Sequence, residues 1–262
     1  MGVQTLITLR DVRLLFPHYK FQTLQATTDG VMDTTYILDN YILKKYERNI
    51  KAKIIEEEKL LYMLHSASLN VPQLIHAKDG WYLYERLRGK VPTRTDYYHI
   101  QALARFISRM HQQTYKLNIS QNFLDAYNLK NILNFTKQNF YFYFKKLQNI
   151  QNYRAKNEGF IHGDIFRDNT IFDGEKIGVF DFIDGGTGEF SFDIAVVLIS
   201  FNPKNKLSFI KLFLNTYNQN APEKISLPQL KKSIKIASGL YALLRIEKYK
   251  NPQKAKILAN LW

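Results

Sequence analysis

Apolar and polar residues alternate in two rhythms along this chain. Leu24 to Leu38 reads as strand, polar loop, strand, and Tyr41-Ile-Leu-Lys-Lys-Tyr46 as a further strand. Asp39-Asn40 between them suits a two-residue hairpin turn, because both tolerate positive φ. Val71 to Ile75 and Gly80 to Gly89 complete a small predicted sheet. Residues 5 to 16 have apolar spacing compatible with a short helix stopped by Pro17, and Lys51 to Ser66 predicts a longer one. In the latter, Ile54, Leu61 and Leu64 form an apolar face that also carries Glu57. From Tyr97 the helical period takes over, with Ile100, Leu103, Ile107 and Met110 running toward His111, a residue expected to cap or pack in the core. Residues 123 to 150 read as one or two helices and 145 to 158 as an exposed connection. Asp193 to Phe201 reads as a helix, and Pro203 onward as helices broken near Asn218 to Pro222 and Lys250 to Pro252. There is no internal repeat. Phe140 to Phe144 is an aromatic run that at helical spacing reads as core, with a stacking platform or choline cage as the alternative.

One stretch breaks the helical half. Gly159-Phe-Ile161 leads in, Thr170-Ile-Phe172 and Ile177 to Phe182 read as strands, and Asp173-Gly174 marks the turn between them. The segment places His162, Asp164, Asn169 and Asp181 in the order H-x-D-x-x-x-x-N, followed by an apolar strand ending in D-F. That spacing suits phosphoryl transfer: a carboxylate, Asp164, takes the acceptor hydroxyl's proton, while an amide, Asn169, and a second carboxylate, Asp181, hold magnesium against nucleotide phosphates. The competing reading is a surface hairpin whose Asp and Asn bond their own backbone. Four polar positions at this spacing between two apolar strands favour catalysis. His162 is expected to order the loop, since the aspartate already supplies a base.

Composition narrows the class. A chain of 262 residues can bury a substantial core, and it has no cysteine, which excludes disulfides and thiolate metal sites. The longest apolar run, Ile194 to Ile199, is too short to cross a bilayer, and charges within residues 1 to 20 do not suit a signal peptide. A cytoplasmic protein without membrane contact is expected. With 37 Lys and Arg against 23 Asp and Glu, the charge balance favours anionic ligands. The basic residues are scattered without a basic-aromatic cluster, so nucleotide phosphates account for the charge more simply than nucleic acid does.

The segment His162-Gly-Asp-Ile-Phe-Arg-Asp-Asn169 with Phe180-Asp-Phe182 resembles the catalytic loop of the aminoglycoside phosphotransferase and choline kinase superfamily, whose signature is H-G-D-x-x-x-x-N followed by I-D-F. It is most similar to the homoserine kinase branch, with Arg167 where that branch usually has proline, and Phe190-Ser-Phe-Asp-Ile-Ala195 resembles the superfamily's downstream D-L-A segment. The resemblance implies an α/β (α+β) protein-kinase-like fold. Residues 1–88 would form a nucleotide-binding lobe of sheet plus helix, and 89–262 a mainly helical catalytic and acceptor-binding lobe, with ATP between them. It further implies that Lys44 clamps the phosphates and that Glu57 positions Lys44, with Glu58 as rival. The loop from Thr28 to Thr35, including Thr28, Gly30 and Thr34, would cover the phosphates. Backbone at Glu85 and Leu87 would bond the adenine edge while Tyr84 or Leu83 packs on the ring. Asp193 would brace the catalytic loop, and Asp184-Gly185-Gly186 would be a flexible loop beside the metal aspartate. The acceptor implied is a small-molecule hydroxyl, foremost L-homoserine in threonine biosynthesis. Arg167 would meet its carboxylate, and Asp168 or Asp184 its ammonium group. Choline, ethanolamine or an aminoglycoside are the alternative acceptors, and a nucleotide-sensing pseudokinase is the alternative outside enzymes.

Overall fold

The computed structural model describes residues 3–27, 33–117 and 121–261, and the chain divides into two compact units, Met1–Gly89 and Lys90–Trp262. In the first unit, Thr8 opens helix α1 (Leu9–Leu15) through a reciprocal capping box, its hydroxyl accepting from the Asp11 N–H while the Asp11 carboxylate accepts from the Thr8 N–H. Strands β1 (Gln25–Ala26), β2 (Thr34–Leu38) and β3 (Tyr41–Lys45) follow, then helix α2 (Lys51–Ser66), β4 (Leu74–Lys78) and β5 (Trp81–Glu85). All neighbours are antiparallel, in the order β1-β2-β3-β5-β4. Asp39 takes the left-handed conformation (φ +46°) in the β2–β3 turn and fixes it by accepting from Gln22 and Thr23. The predicted strand at 71–75 begins later, at Leu74.

Strand alternation sorts the sheet's side chains. Tyr36, Leu38, Leu43, Trp81 and Leu83 form one cluster with Val12, Phe16 and Phe21 of the N-terminal segment. The opposite parity of β3 and β5 pairs Ile42 with Tyr84 and Lys44 with Tyr82. That parity also carries Tyr46, whose hydroxyl reaches Glu57 of α2. Lys44 therefore shares its face with the α2 carboxylate, and Lys45 lies with the Trp81 ring.

The second unit is mostly helical. Helix α3 (Tyr97–Thr114) is followed by a 3₁₀ turn (Phe123–Ala126), α4 (Leu129–Asn139), α5 (Tyr141–Leu147) and a further 3₁₀ turn (Gln148–Asn152). Then come two short hairpin-like pairs: β6 (Gly159–Ile161) with β9 (Gly186–Gly188), and β7 (Thr170–Asp173) with β8 (Lys176–Val179). Helices α6 (Phe190–Phe201), α7 (Leu207–Tyr217), α8 (Leu227–Tyr249) and α9 (Lys256–Ala259) complete the chain. Helix α6 is apolar around its whole circumference and accordingly buried, packed on α8, while α3 packs on α7.

Three expectations are corrected here. Of the Asp184-Gly185-Gly186 loop, Asp184 and Gly185 form the turn, but Gly186 opens the buried strand Gly186–Gly188 against β6, and a Cβ at Gly188 would strike Ile161. Strand β8 ends at Val179 rather than Phe182, because the chain turns at Asp181. The aromatic run is not core: none of residues 140–144 is buried, Tyr141 and Phe142 are exposed, and Phe144 lies beneath the Lys137 ammonium group.

Candidate active site

The catalytic loop is built on its backbone. Gly163 has φ +71°, which glycine adopts without cost, and a Cβ there would run into the buried Phe123 ring. Asp193, fully buried near the start of α6, accepts from the N–H groups of His162 (3.2 Å) and Gly163 (2.7 Å). Its Oδ2 is also 3.1 Å from His111 Nε2, and His111 Nδ1 is 2.9 Å from the Tyr217 hydroxyl. Burial pushes the His111 pKa down, so the ring is neutral at pH 7 and gives its Nε2 proton to Asp193. His162 is equally buried and its pKa is likewise lowered by burial. Its Nδ1 accepts from the Asp164 N–H (3.2 Å), which leaves the proton on Nε2 for the Phe180 carbonyl (3.1 Å). His162 orders the loop with both ring nitrogens.

The same bonds bring the three motif residues together. Asn169 Nδ2 donates to the carbonyl and to Oδ2 of Asp164, at 2.8 and 2.9 Å, which leaves Asn169 Oδ1 as its ligating end. The Asn169 carbonyl accepts from the Phe180 N–H (3.2 Å), and Phe180 is bound from its other side by His162. Asp181 follows directly, exposed and left-handed at φ +70°. Asp164 is half-buried, and its pKa is raised to about 7, first by burial and then by the charges of Asp181, Asp168 and Asp184, against the lowering bond from Asn169. Four carboxylates thus act on one another in a chain whose net charge is +14. Among the described residues, no three His, Asp or Glu side chains form a ready-made metal cage. An amide oxygen and one carboxylate are hard oxygen donors that fit magnesium completing its shell with phosphates and water.

Arg167 is committed elsewhere. Its Nη1 donates to the Thr93 carbonyl (3.1 Å) and its Nη2 to the Thr95 hydroxyl (2.6 Å), with the guanidinium 5.5 Å from the Phe201 ring centre. One N–H of each Nη is thereby engaged, and the buried Nε has no hydrogen-bond partner among the described residues. Asp168 is exposed and Asp184 partly so.

In the first unit, Glu57 is buried and Glu58 exposed, which favours Glu57 over its rival for a role on the Lys44 face. The Glu57 Oε2 accepts from the hydroxyls of Tyr46 (2.8 Å) and Tyr84 (3.3 Å), and the Lys44 ammonium lies 5.0 Å from the Tyr46 ring centre. Leu83 is in the opposite cluster, so of the two residues expected to pack on a ring only Tyr84 is on the Lys44 face. The Glu85 N–H donates to the Gln73 carbonyl, and among the described residues the Leu87 N–H has no backbone partner. Thr34 is a correction: fully buried, its hydroxyl accepts from the N–H groups of Gln4 and Thr5 and donates to Glu47, so it offers nothing to a phosphate. Thr28 and Gly30 lie outside the described residues.

Sequence reasoning missed the tyrosines. Tyr46 and Tyr84 hold Glu57, while Tyr241 donates to the Gly163 carbonyl from the middle of α8. A hydroxyl inside the apolar stripe Ala237, Leu240, Tyr241, Leu243 needs a buried partner, and that need was the available signal.

No curated protein sequence matches the chain. Among solved structures, an amicoumacin kinase in complex with AMP-PNP, Ca²⁺ and Ami is 19% identical with a TM-score of 0.71, covering 97% of this chain and 90% of that one. A streptomycin–ATP–APH(2'')-IIa ternary complex is 18% identical, with a TM-score of 0.67 over 97% and 99% of the two chains. A macrolide 2'-phosphotransferase type I is 16% identical, with a TM-score of 0.67 over 98% and 97%. These likenesses show the kinase-like fold; neither they nor the family match single out the homoserine kinase branch. Residues 23–227 match the sequence pattern of the phosphotransferase enzyme family, and the chain belongs to that family.

Proposed function

We propose that this protein is an ATP- and magnesium-dependent small-molecule kinase that transfers the γ-phosphoryl group to a hydroxyl of a cationic acceptor. The observation that carries the reading is the Asp164–Asn169–Asp181 arrangement. A carboxylate whose pKa sits near 7 is suited to take a proton at neutral pH, and beside it stand an amide oxygen and a second carboxylate suited to magnesium. In this reading Asp164 orients and deprotonates the acceptor hydroxyl, and Asn169 and Asp181 hold the metal that neutralises the phosphates. Residues 1–88 supply the nucleotide contacts: Lys44 on the phosphates, Glu57 positioning it, and the Glu85 carbonyl and Leu87 N–H on the adenine edge. Residues 89–262 supply catalysis and the acceptor site.

The acidic group formed by Asp164, Asp168, Asp181 and Asp184 favours an acceptor bearing ammonium groups. An aminoglycoside-like amino-alcohol meets that better than L-homoserine, whose carboxylate the same charges repel. Lys248, Lys250, Lys254 and Lys256 near the C-terminus are exposed. The test is a coupled ATP-turnover assay with magnesium against gentamicin, streptomycin, a macrolide, choline and L-homoserine. Fastest turnover with an aminoglycoside supports the reading. L-homoserine turning over faster than every aminoglycoside would reverse the acceptor assignment, and an absence of magnesium-dependent ATP turnover would remove the kinase.

A further inference from the structure

Residues 128–157, which hold α4, α5 and the 3₁₀ turn after them, carry six basic residues and no acidic one. Residues 246–261, the end of α8 and all of α9, carry four more, with Glu247 the one acidic residue. The fold packs these two stretches together, α4 on α8 and α5 on α9. The Lys250 ammonium lies 4.0 Å from the Phe135 ring centre, and Lys146 Nζ donates to Asn260 Oδ1 at 3.3 Å. Nine of the chain's fourteen net positive charges are thus gathered in one region of the second unit. Along the sequence these residues are scattered; packing collects them. The aromatic run sits in the same region and faces outward. Lys137 is 5.6 Å from the Phe144 ring centre, Phe144 stacks on Tyr141 at 6.1 Å, and Lys145 is 5.9 Å from the Tyr141 ring centre. Phe142 is 72% exposed and Ile257 of α9 65%. Large apolar side chains standing in water among lysines have the composition of an interfacial surface, where the hydrocarbon enters the acyl boundary and the ammonium groups stay with the headgroups.

We propose that the α4–α5 surface, with α9 beside it, docks on an anionic lipid bilayer. Tyr141 and Phe142 enter the interface, and the surrounding lysines meet the headgroup charges. Charge complementarity selects a polyanion, and the side-chain chemistry selects lipid over nucleic acid. Ammonium groups lie over Phe135, Tyr141 and Phe144, on ring faces that bases would need for stacking, and Ile257 has no such face. Nine of the ten cations are lysines, point charges that suit mobile headgroups. Arginine, whose fork grips nucleic-acid phosphates, occurs once, as Arg154. The proposal is independent of the kinase reading.

Co-sedimentation of the full chain with vesicles tests this, at about 0.1 M salt, where exposed charges act over ~10 Å. The vesicles are phosphatidylcholine alone, or phosphatidylcholine and phosphatidylserine at about 3:1. Wild type should bind the mixed vesicles at least about tenfold more strongly than the neutral ones. Lys137→Glu with Lys145→Glu should lose about tenfold or more of that binding, and Tyr141→Ala with Phe142→Ala about fivefold. Lys231→Glu with Lys232→Glu is the control. These lysines are exposed, lie roughly 27 Å along α8 from Tyr249, and give the same change in net charge. The control should bind within about threefold of wild type. No preference for the anionic vesicles would overturn the proposal. So would an equal loss in the control, which would mean that net charge alone is read, or full binding by the Tyr141→Ala, Phe142→Ala variant. Stronger binding of a labelled single-stranded RNA than of the mixed vesicles, lost in the Lys137→Glu, Lys145→Glu variant, would assign the surface to nucleic acid instead. All four substituted positions are exposed, and should one variant fail to fold the other decides.

Discussion

Asp164→Asn should make the protein more stable while removing its activity. Burial and three neighbouring carboxylates raise the Asp164 pKa from 3.8 to about 7. The folded state therefore binds a proton more tightly than the unfolded chain does. The associated penalty is absent below pH ~4, grows between ~4 and ~7, and is complete above ~7. A rise of that size corresponds to ~4 kcal/mol. Asp164 is only half-buried and solvent screens part of its charge, so ~1–2 kcal/mol is the expected relief when a neutral amide replaces it. For a chain of this size that is ~3–6 °C in melting temperature. The assay is thermal unfolding of wild type and Asp164→Asn at pH 8 and pH 5, without metal or nucleotide. The variant should melt higher at pH 8, and the gap should shrink at pH 5, where other titrating groups cancel between the two proteins. Turnover should drop by roughly 10²–10⁴-fold, the worth of a positioned general base. A variant that melts no higher than wild type at pH 8, or whose advantage is the same at both pH values, would refute the raised pKa.

Four further outcomes follow from the same geometry. For wild type, kcat/KM should fall as pH drops below about 7, because only ionised Asp164 accepts a proton; a flat profile down to pH 5.5 would contradict the assignment. Asp181→Asn keeps a residue that tolerates φ +70° but removes the ligand's negative charge, so calorimetry should find the magnesium contribution to ATP affinity reduced with little change in melting temperature. Gly163→Ala should destabilise the second unit by ~2 kcal/mol or more, since both its φ and the Phe123 ring oppose a side chain; chemical denaturation checks this. Arg167→Ala should cost ~1–3 kcal/mol of stability through its bonds to Thr93 and Thr95, and should leave the acceptor KM within about twofold of wild type.

What was legible in the sequence was what depends on local spacing. The H-x-D-x-x-x-x-N pattern and the strand after it identified a loop that indeed gathers Asp164, Asn169 and Asp181, because those residues are tied by hydrogen bonds within a span of twenty positions. Alternation put Lys44 and Lys45 on opposite faces of β3, as found. The failures were at long range. The resemblance gives Thr34 to a loop over the phosphates, but its hydroxyl is taken by Thr5 and Glu47, which no local pattern announces. Arg167 looked available because its partners are more than seventy positions upstream. Gly186, which the resemblance gave to a loop, belongs to a strand because β6 supplies the pairing. The Tyr46–Glu57–Tyr84 group likewise joins three separate elements.

The way the catalytic loop is held has a consequence for how this scaffold can change. Asp193, the His162 ring and Tyr241 fix the backbone of residues 162–164 through main-chain atoms, so the fixing needs no particular side chain at the neighbouring positions 168 or 184. Those positions are open to substitution without moving the base. Acceptor preference and catalytic geometry are therefore separable by design: libraries varied at Asp168 and Asp184 should yield altered acceptor ranges at nearly constant nucleotide chemistry. The same libraries varied at 193 or 111 should yield mostly unfolded chains, because those side chains are the scaffold's internal joinery.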